Sequence, residues 1–167
     1  MTEEVKRNYL EINSIKDLKE SNQLFDGFAI VLLDPVNFQL NKFFYKNIGK
    51  KHRWMDRLIW SEQQWIDYVS NSKLKTFVLR KKNDLVGFFE LIFHLENKEV
   101  EIAYFGILEE YQNKKLGSFL LSEAIKKSFN ENINRIWLHT CSLDHENALK
   151  NYLARGMKIF KSEIVKL

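Results

Sequence analysis

The spacing of apolar residues along the chain alternates between a strand period and a helix period. Six strands are predicted, over Phe28–Leu33, Leu74–Arg80, Leu85–Phe93, Val100–Ile107, Ile133–Thr140 and Met157–Val165. Four helices are predicted: one begins at Pro35 and runs through Ile48, and one is opened by Ser61–Gln64 and runs through Trp65 and Val69. The other two cover Leu116–Phe129 and His145–Arg155. The order is a helical N-terminal half, then three successive strands, then strand–helix–strand. This order predicts a mixed α/β domain.

Capping signals predict where the helices begin and end. Asp34 is expected to cap the first helix, with Pro35 as its first residue. Ser61 opens a segment that resembles a capping box before the second helix. Asp144 is expected to cap the last helix, and Gly156 to end it at the C′ position.

Length and composition are those of one compact domain in a reducing compartment. The chain has 167 residues, of which 45% are hydrophobic, enough for a sizeable core. Cys141 is its single cysteine, so no internal disulfide is possible and a cytoplasmic location is expected. We also expect neither a secretory signal nor a membrane span, because the start is polar and no apolar run approaches about 20 residues.

The net charge of +4 changes this picture little. Basic clusters such as Lys50–Arg53 and Arg80–Lys82 are short, and acidic residues lie among the lysines and arginines along the whole chain. Such clusters are usually solvated surface. No nucleic-acid-binding motif accompanies them, so no nucleic-acid partner is expected.

Candidate chemistry lies between Glu101 and Ser118, where a strand, a short polar turn and a helix start follow one another. The first backbone N–H groups of a helix have no intrahelical partner, and the helix dipole adds partial positive charge there. Such a helix start is suited to bind a pyrophosphate. Gly117 would let the backbone approach the phosphates closely, and Ser118 supplies a hydroxyl donor.

This segment resembles the acyl-CoA motif of the GNAT superfamily of N-acetyltransferases, a strand followed by a loop of the form Gln/Arg-x-x-Gly-x-Gly/Ala that opens a helix. Gln112, Leu116 and Gly117 match the motif. Lys115 stands where the first glycine of the pair usually lies, and Asn113 where many members have another glycine. Asparagine tolerates positive φ better than lysine does. The departure predicts either a strained loop or a Lys115 ammonium turned toward a phosphate.

A second segment strengthens the resemblance. Asp144–Met157 is similar to the family's pattern Ala-Leu-x-x-Tyr-x-x-x-Gly-Phe, with Met157 in place of the phenylalanine. The resemblance implies the GNAT α/β fold, a bent mixed sheet with helices on both faces and splayed central strands. It also implies one domain over 1–167, in which 1–95 shape the acceptor site and 96–160 form the acyl-CoA-binding core.

The resemblance implies acetyl-CoA as co-substrate and a set of residues that bind it. These are Phe105, Gly106, Ile107, Gln112, Asn113, Lys114, Lys115, Leu116, Gly117, Ser118 and Asn147. Gly106 would mark the bulge that splays two strands. The Phe105 amide would polarise the acyl carbonyl, and the Ile107 amide would bind the pantetheine arm.

The implied activity is transfer of an acetyl group from acetyl-CoA to a primary amine by direct attack. An ammonium cannot attack a thioester, so a base must take its proton. Glu101 stands where family members commonly have that base, and Glu90 on the neighbouring strand is the rival. Tyr152 would give its proton to the departing thiolate. The alternative is a non-catalytic acyl-CoA-binding or regulatory module, which needs neither Glu101 nor Tyr152.

Other conspicuous residues have plainer interpretations. His139, Cys141 and His145 lack a fourth ligand and the usual spacing, so no metal site is expected. The tryptophan-rich stretch Trp54–Trp65 either packs helices on the sheet or forms a wall of the acceptor pocket. The acceptor, a small-molecule or peptide amine, is not identified by the sequence, and either a monomer or a homodimer is compatible with it.

Overall fold

Seven strands form one sheet in the computed structural model, which describes residues 3–21, 26–144 and 147–166. The strands are β1 (Glu4–Ile12), β2 (Phe28–Leu32), β3 (Leu74–Lys81), β4 (Asp84–His94), β5 (Glu99–Ile107), β6 (Arg135–Cys141) and β7 (Lys158–Lys166). Their order across the sheet is β2-β3-β4-β5-β6-β1-β7. The predicted mixed α/β class is confirmed.

The strand β1 was not predicted from the sequence. It inserts between β6 and β7 and pairs antiparallel with both. Its Leu10 and Ile12 are buried, whereas the alternate residues Arg7, Tyr9 and Glu11 face the other side of the sheet and are only partly buried. The strand was missed in the sequence because these polar residues leave no continuous apolar run.

Four helices complete the fold: α1 (Phe38–Gly49), α2 (Glu62–Val69), α3 (Leu116–Ser128) and α4 (Ala148–Ala154). The predicted start of α1 is wrong, because Asn37 rather than Asp34 is the N-cap, and Asp34 and Pro35 precede the helix with a cis bond between them. The capping box at Ser61 is confirmed, with the Gln64 side chain bonded to the cap backbone.

The predicted cap of α4 is also wrong. Asn147 is its N-cap, and Asp144 instead accepts hydrogen bonds from the Cys141 N–H and the Thr140 hydroxyl at the end of β6. The predicted helix start at His145 lies outside the described residues. Gly156 does end the helix, with a φ of +103° and the paired hydrogen bonds of a Schellman motif.

The helices cover the two faces of the sheet unequally. Helices α3 and α4 pack on one face over the main core, which includes Leu10, Leu91 and Leu120. On the other face, α1 covers β3, β4 and β5 through a second cluster around Phe44 and Phe88. Beyond it, the polar and partly buried positions of β6, β1 and β7 form a half-face that none of the four helices covers in the described part of the chain, called here the open half-face.

The two central strands diverge, as the resemblance implied. Strands β5 and β6 run parallel and pair only from Glu99 to Glu101, after which β5 stays with β4 and β6 with β1. A V-shaped gap therefore opens between them toward their carboxyl ends. No helix among the described residues is long and apolar enough to cross a membrane.

Candidate active site

A continuous cleft of about 840 Å³ follows the gap between β5 and β6. At one end lies the start of α3, and at the other the segment between α1 and α2. The residues proposed from the sequence to bind the cofactor or act in catalysis line this cleft, with the exceptions of Lys114 and the rival base Glu90. Lys114 instead holds its ammonium 5.7 Å from the centre of the Tyr111 ring.

The loop before α3 has the backbone shape of a glycine-rich loop without its glycines. Asn113 and Lys115 each have a φ of +63°, at the two positions where the family carries glycine. Gln112 fastens the loop to the strand, because its side-chain amide donates to the Ile107 carbonyl at 3.2 Å. The strained alternative expected for this loop is therefore the one that the backbone adopts.

The N-terminus of α3 is open toward the cleft. No side chain caps it, and no acidic residue lies in its first turn. A Cβ at Gly117 would lie 3.7 Å from the Asn151 side-chain nitrogen, with no closer neighbour. The Ser118 hydroxyl donates to the Asn151 Oδ1 at 3.1 Å, which ties α3 to α4. This helix start therefore carries partial positive charge, and no acidic residue in its first turn neutralises it.

Two backbone amides of β5 point into the gap. The Leu108 N–H donates to the Val86 carbonyl of β4 at 2.8 Å. Successive N–H groups of a strand point to opposite sides, so those of Phe105 and Ile107 point away from β4. Beyond Glu101 no strand that the structure describes pairs with that edge. The amides are therefore available to a molecule lying in the gap.

The predicted bulge at Gly106 is misplaced. Gly106 pairs in register with Phe88, whereas the register shifts between the Glu90–Tyr104 and Leu91–Ile102 pairs, which leaves Ala103 as the extra residue. Because of this bulge, Glu101 and Tyr104 lie on the same face of the sheet, although three positions apart. Gly106 has a different role.

A helix leaves no room for a side chain at Gly106. A Cβ there would lie 2.6 Å from the Ile48 Cγ2 of α1, far inside van der Waals contact. The glycine therefore lets α1 lie close against β5 beside the gap.

Glu101 lies where β5 and β6 begin to separate, opposite Trp137 in the last parallel pair. Its side chain is 21% exposed, lines the cleft, and lies 3.4 Å from the His94 Nε2. A carboxylate in this position is accessible from the open half-face and can accept a proton from a molecule bound there.

Tyr152 approaches the gap from α4. Its side chain is only 8% exposed, and its ring centre lies 6.4 Å from that of Phe105. Burial raises the pKa of Tyr152 above its usual range, and the carboxylate of Asp144 raises it further. The phenol therefore keeps its proton well into the alkaline range.

Glu90, the rival base, does not line the cleft. It is fully buried and accepts hydrogen bonds from the side chains of Asn41 at 2.8 Å, Tyr68 at 2.6 Å and Arg57 at 3.1 Å. Burial alone would lower the pKa of Arg57, but the Glu90 carboxylate and the phenols of Tyr68 and Tyr104 together outweigh burial and raise that pKa. The geometry favours Glu90 as the partner of a buried arginine over Glu90 as a base.

Arg57 itself was missed as a central residue of the site. Its guanidinium lies within 5.6 Å of the centres of five aromatic rings, those of Tyr45, Trp60, Trp65, Tyr68 and Tyr104. This aromatic box fixes the segment between α1 and α2 against the sheet. The density of tryptophan and tyrosine around an arginine was the signal in the sequence.

The tryptophan-rich stretch is divided between the core and the cleft. Trp65 is 1% exposed and packs in the core, whereas Trp54 and Trp60 line the cleft. Trp54 stands 4.7 Å from Tyr104 between ring centres, edge to face. Two tryptophans thus form one wall of the cleft and the third supports it.

His139 and Cys141 also line the cleft. Partial burial and the nearby charge of Arg7 lower the pKa of His139, although the ring is open to the cleft. Among the described residues no group of histidine, cysteine and acidic side chains is arranged to hold a metal ion. His145, the third member of the group weighed from the sequence, lies outside the described residues.

Sequence comparison assigns the chain to a family. A model of the acetyltransferase (GNAT) family matches residues 37–157. The chain belongs to the GNAT family. The match includes the α3 loop, Glu101 and Tyr152, and leaves out β1, β2 and β7. No curated protein is significantly similar to this GNAT chain in sequence.

Solved structures share the GNAT fold. A GCN5-related N-acetyltransferase from Sphaerobacter thermophilus has a TM-score of 0.76 and 10% identity over 97% of this chain and 50% of its own. One from Kribbella flavida has a TM-score of 0.65 and 14% identity over 96% and 56%. An aminoglycoside acetyltransferase from an uncultured soil sample has a TM-score of 0.65 and 12% identity over 80% and 90%. The chain thus spans little more than half the length of the first two proteins.

Proposed function

We propose that this GNAT protein is an N-acetyltransferase that moves an acetyl group from acetyl-CoA to a primary amine by direct attack. One observation carries the proposal. A single cleft runs from the uncapped start of α3 through the gap between β5 and β6 to a carboxylate, Glu101, and a protonated phenol, Tyr152. Family membership makes acetyl transfer the reaction class to test first.

The residues at the α3 end fit acetyl-CoA. The pyrophosphate is placed at the amides of Leu116, Gly117 and Ser118, where the absence of a protein cap and of a Gly117 side chain leaves space for it. Gln112, Asn113, Lys115 and Asn147 line the same part of the cleft. Lys114 drops out of the proposed set because its ammonium lies by the Tyr111 ring.

Acetyl-CoA supplies the thioester, and groups of this chain carry out the separate steps of the transfer. The Phe105 amide points into the gap and donates a hydrogen bond to the acyl carbonyl, where negative charge develops. The Ile107 amide holds the pantetheine arm. Glu101 accepts the amine's proton, directly or through water, and Tyr152 gives its proton to the departing sulfur.

The acceptor enters from the open half-face. Residues 1–95 contribute Trp54, Trp60 and most of the aromatic box around Arg57 to this side, and 96–160 contribute the cofactor side together with Tyr104 of the box, in one domain. We propose a small-molecule or peptide amine as partner, a monomer or homodimer as the working form, the cytoplasm as location, and no part for nucleic acid or membrane.

Release of free thiol from acetyl-CoA, measured over a panel of primary amines, tests the proposal. Gly117→Glu is the matched control, because its carboxylate would face the pyrophosphate while a side chain at this position meets no close neighbour. We expect amine-dependent thiol release by the wild type and loss of acetyl-CoA affinity in the folded variant. Tight acetyl-CoA binding with no turnover on any amine would favour the non-catalytic module instead.

A further inference from the structure

One cation on the acceptor side of the cleft has only a distant carboxylate partner among the described residues. Among the described residues, four arginines and lysines line the cleft. Arg53 and Arg57 are paired with carboxylates, and Lys115 belongs to the loop before α3. Arg7, on β1, is the fourth.

The hydrogen bonds around Arg7 are incomplete. Its Nε is buried and makes no hydrogen bond to any described residue. Its nearest carboxylate oxygen, on Glu163, is 4.0 Å away, and Glu163 already accepts from the Tyr9 hydroxyl at 2.7 Å and lies 3.7 Å from Lys161. A buried donor without a partner is unfavourable. The Arg7 side chain is 28% exposed and lines the cleft, so a ligand acceptor in the cleft would complete its hydrogen bonds.

The sheet register places Arg7 and Glu101 on the same face. Arg7 pairs with Cys141 and Glu101 with Trp137, and alternate residues of β6 share one face, so His139 lies between the two charges. Both charges act on the pKa of His139, Arg7 lowering it and Glu101 raising it. Strand spacing and rise separate the Arg7 and Glu101 Cα atoms by about 16 Å. Two long side chains and a small ligand can bridge that distance.

We infer that the acceptor is an amine that also carries a carboxylate, as a free amino acid does. The Arg7 guanidinium, a planar fork that matches a carboxylate, holds the carboxylate end of the acceptor. Glu101 then faces the ammonium end and removes its proton. The inference rests on the proposed acetyl transfer and specifies the substrate class of the same cleft.

Matched pairs of acceptors test it, each a free amino acid and its primary amide. We expect kcat/KM to favour the free acid about ten-fold or more, although amidation lowers the amine's pKa and so favours the amide chemically. Arg7→Gln should raise KM for the acids about ten- to a hundred-fold, leave kcat largely unchanged, and leave the amides within about two-fold. Arg7→Lys should retain part of the preference, since it keeps the charge and loses the fork.

Arg135→Gln is the control variant. Arg135 lies on the same face of β6 as His139, is paired with Glu11 and Glu99, and does not line the cleft. It should leave the preference for the free acid intact. An equal effect of Arg7→Gln on acids and amides, or no effect on either, would overturn the inference and leave acetyl transfer standing.

Calorimetric binding of the same pairs to the CoA-loaded protein tests Arg7 without turnover. Binding that needs the carboxylate and is lost in Arg7→Gln supports the inference even if no pair is acetylated. The absence of acetylation would then contradict the proposed activity alone. Equal binding of acid and amide overturns the inference whatever the activity.

Discussion

Two residues in the loop before α3, Asn113 and Lys115, have backbone angles that glycine adopts at least cost. The sequence motif identified both positions, because a loop motif is local and each residue's place is set by its neighbours. The motif did not identify Arg7 or Arg57. Their surroundings depend on strands and helices far away in the chain, such as Glu90 for Arg57.

Lys115→Gly should stabilise the protein. A lysine in the left-handed region costs about 1–2 kcal/mol, and the greater freedom of glycine in the unfolded chain offsets about half of that, so the free energy of unfolding should rise by roughly 0.5–1 kcal/mol. Urea denaturation without ligand is the measurement. Lys114→Gly is the control, since Lys114 is not in this region and should show no gain. A loss at Lys115 equal to that at Lys114 would mean that the loop is not strained.

Glu101→Gln should lower turnover mainly below the pKa of the acceptor amine, where the amine arrives protonated and needs a base. At higher pH the free amine attacks unaided and the variant should approach the wild type. General-base assistance contributes about 10²- to 10⁴-fold, so the loss near neutral pH should be large. Paired pH–rate profiles are the measurement. Glu99→Gln, on the same face of β5 but outside the cleft, should follow the wild type throughout.

Tyr152→Phe should lower kcat at every pH from neutral to about 10, by about 10²-fold or more, because thiolate departure needs a proton donor throughout. A raised pKa means that the protonated form persists to higher pH, so the wild type should show no alkaline loss from Tyr152 where an ordinary tyrosine begins to ionise. A variant defect that appears only at low pH would contradict this role. Circular dichroism of the variant checks the fold.

At the scale of elements, the sequence predicted which helices and strands are present better than it predicted where they begin and end. Its six strands and four helices all occur, whereas the N-caps of α1 and α4 were misplaced and β1 was missed. The bulge on β5 was assigned to Gly106 because glycine usually marks one, yet it lies at Ala103. Nothing in an alanine signals a bulge, since the cause lies in the register with β4 and in the packing of α1 against β5.

The free energy of unfolding should depend strongly on the buried ion pair of Arg57 and Glu90. Glu90→Gln leaves a buried guanidinium without its carboxylate and should cost about 3–5 kcal/mol of unfolding free energy. Tyr68→Phe removes one hydrogen bond to Glu90 and should cost about 1.5–3 kcal/mol, which keeps a graded result measurable if the first variant does not fold. Urea denaturation measures both.

An exposed pair provides the comparison for these losses. Lys51 and Glu109 also form an ion pair, but both side chains are mostly exposed. Lys51→Ala should therefore change stability by at most about 1 kcal/mol. Equal losses at the buried and the exposed pair would show that Arg57 and Glu90 are not the anchor of the segment between α1 and α2.

At the scale of the whole molecule, the gap is a consequence of strand order. Strand β6 pairs with β1 on one side, and β5 pairs with β4 on the other. The two central strands therefore pair with each other at only three positions and then diverge, each with its own neighbour. Periodicity alone could not predict this arrangement, because β1 is distant in sequence and weakly patterned. The resemblance predicted it, since the fold is a property of the family.

Acetyl-CoA should stabilise the entire domain, because a ligand in the gap replaces the missing pairing between the diverging strands and binds only the folded state. At a concentration of 100 times Kd the gain is about 2.7 kcal/mol, which corresponds to roughly 5–10 °C in Tm for a chain of this size. A thermal scan with and without acetyl-CoA measures it. Adenosine, which lacks the pyrophosphate, the pantetheine arm and the thioester, should give little shift. Gly117→Glu should unfold near the wild-type temperature without ligand and respond weakly to acetyl-CoA. If the Tm of the wild type does not change although circular dichroism shows it folded, acetyl-CoA does not bind in this cleft. If the Tm of wild type and variant rises equally, the pyrophosphate does not bind at the start of α3.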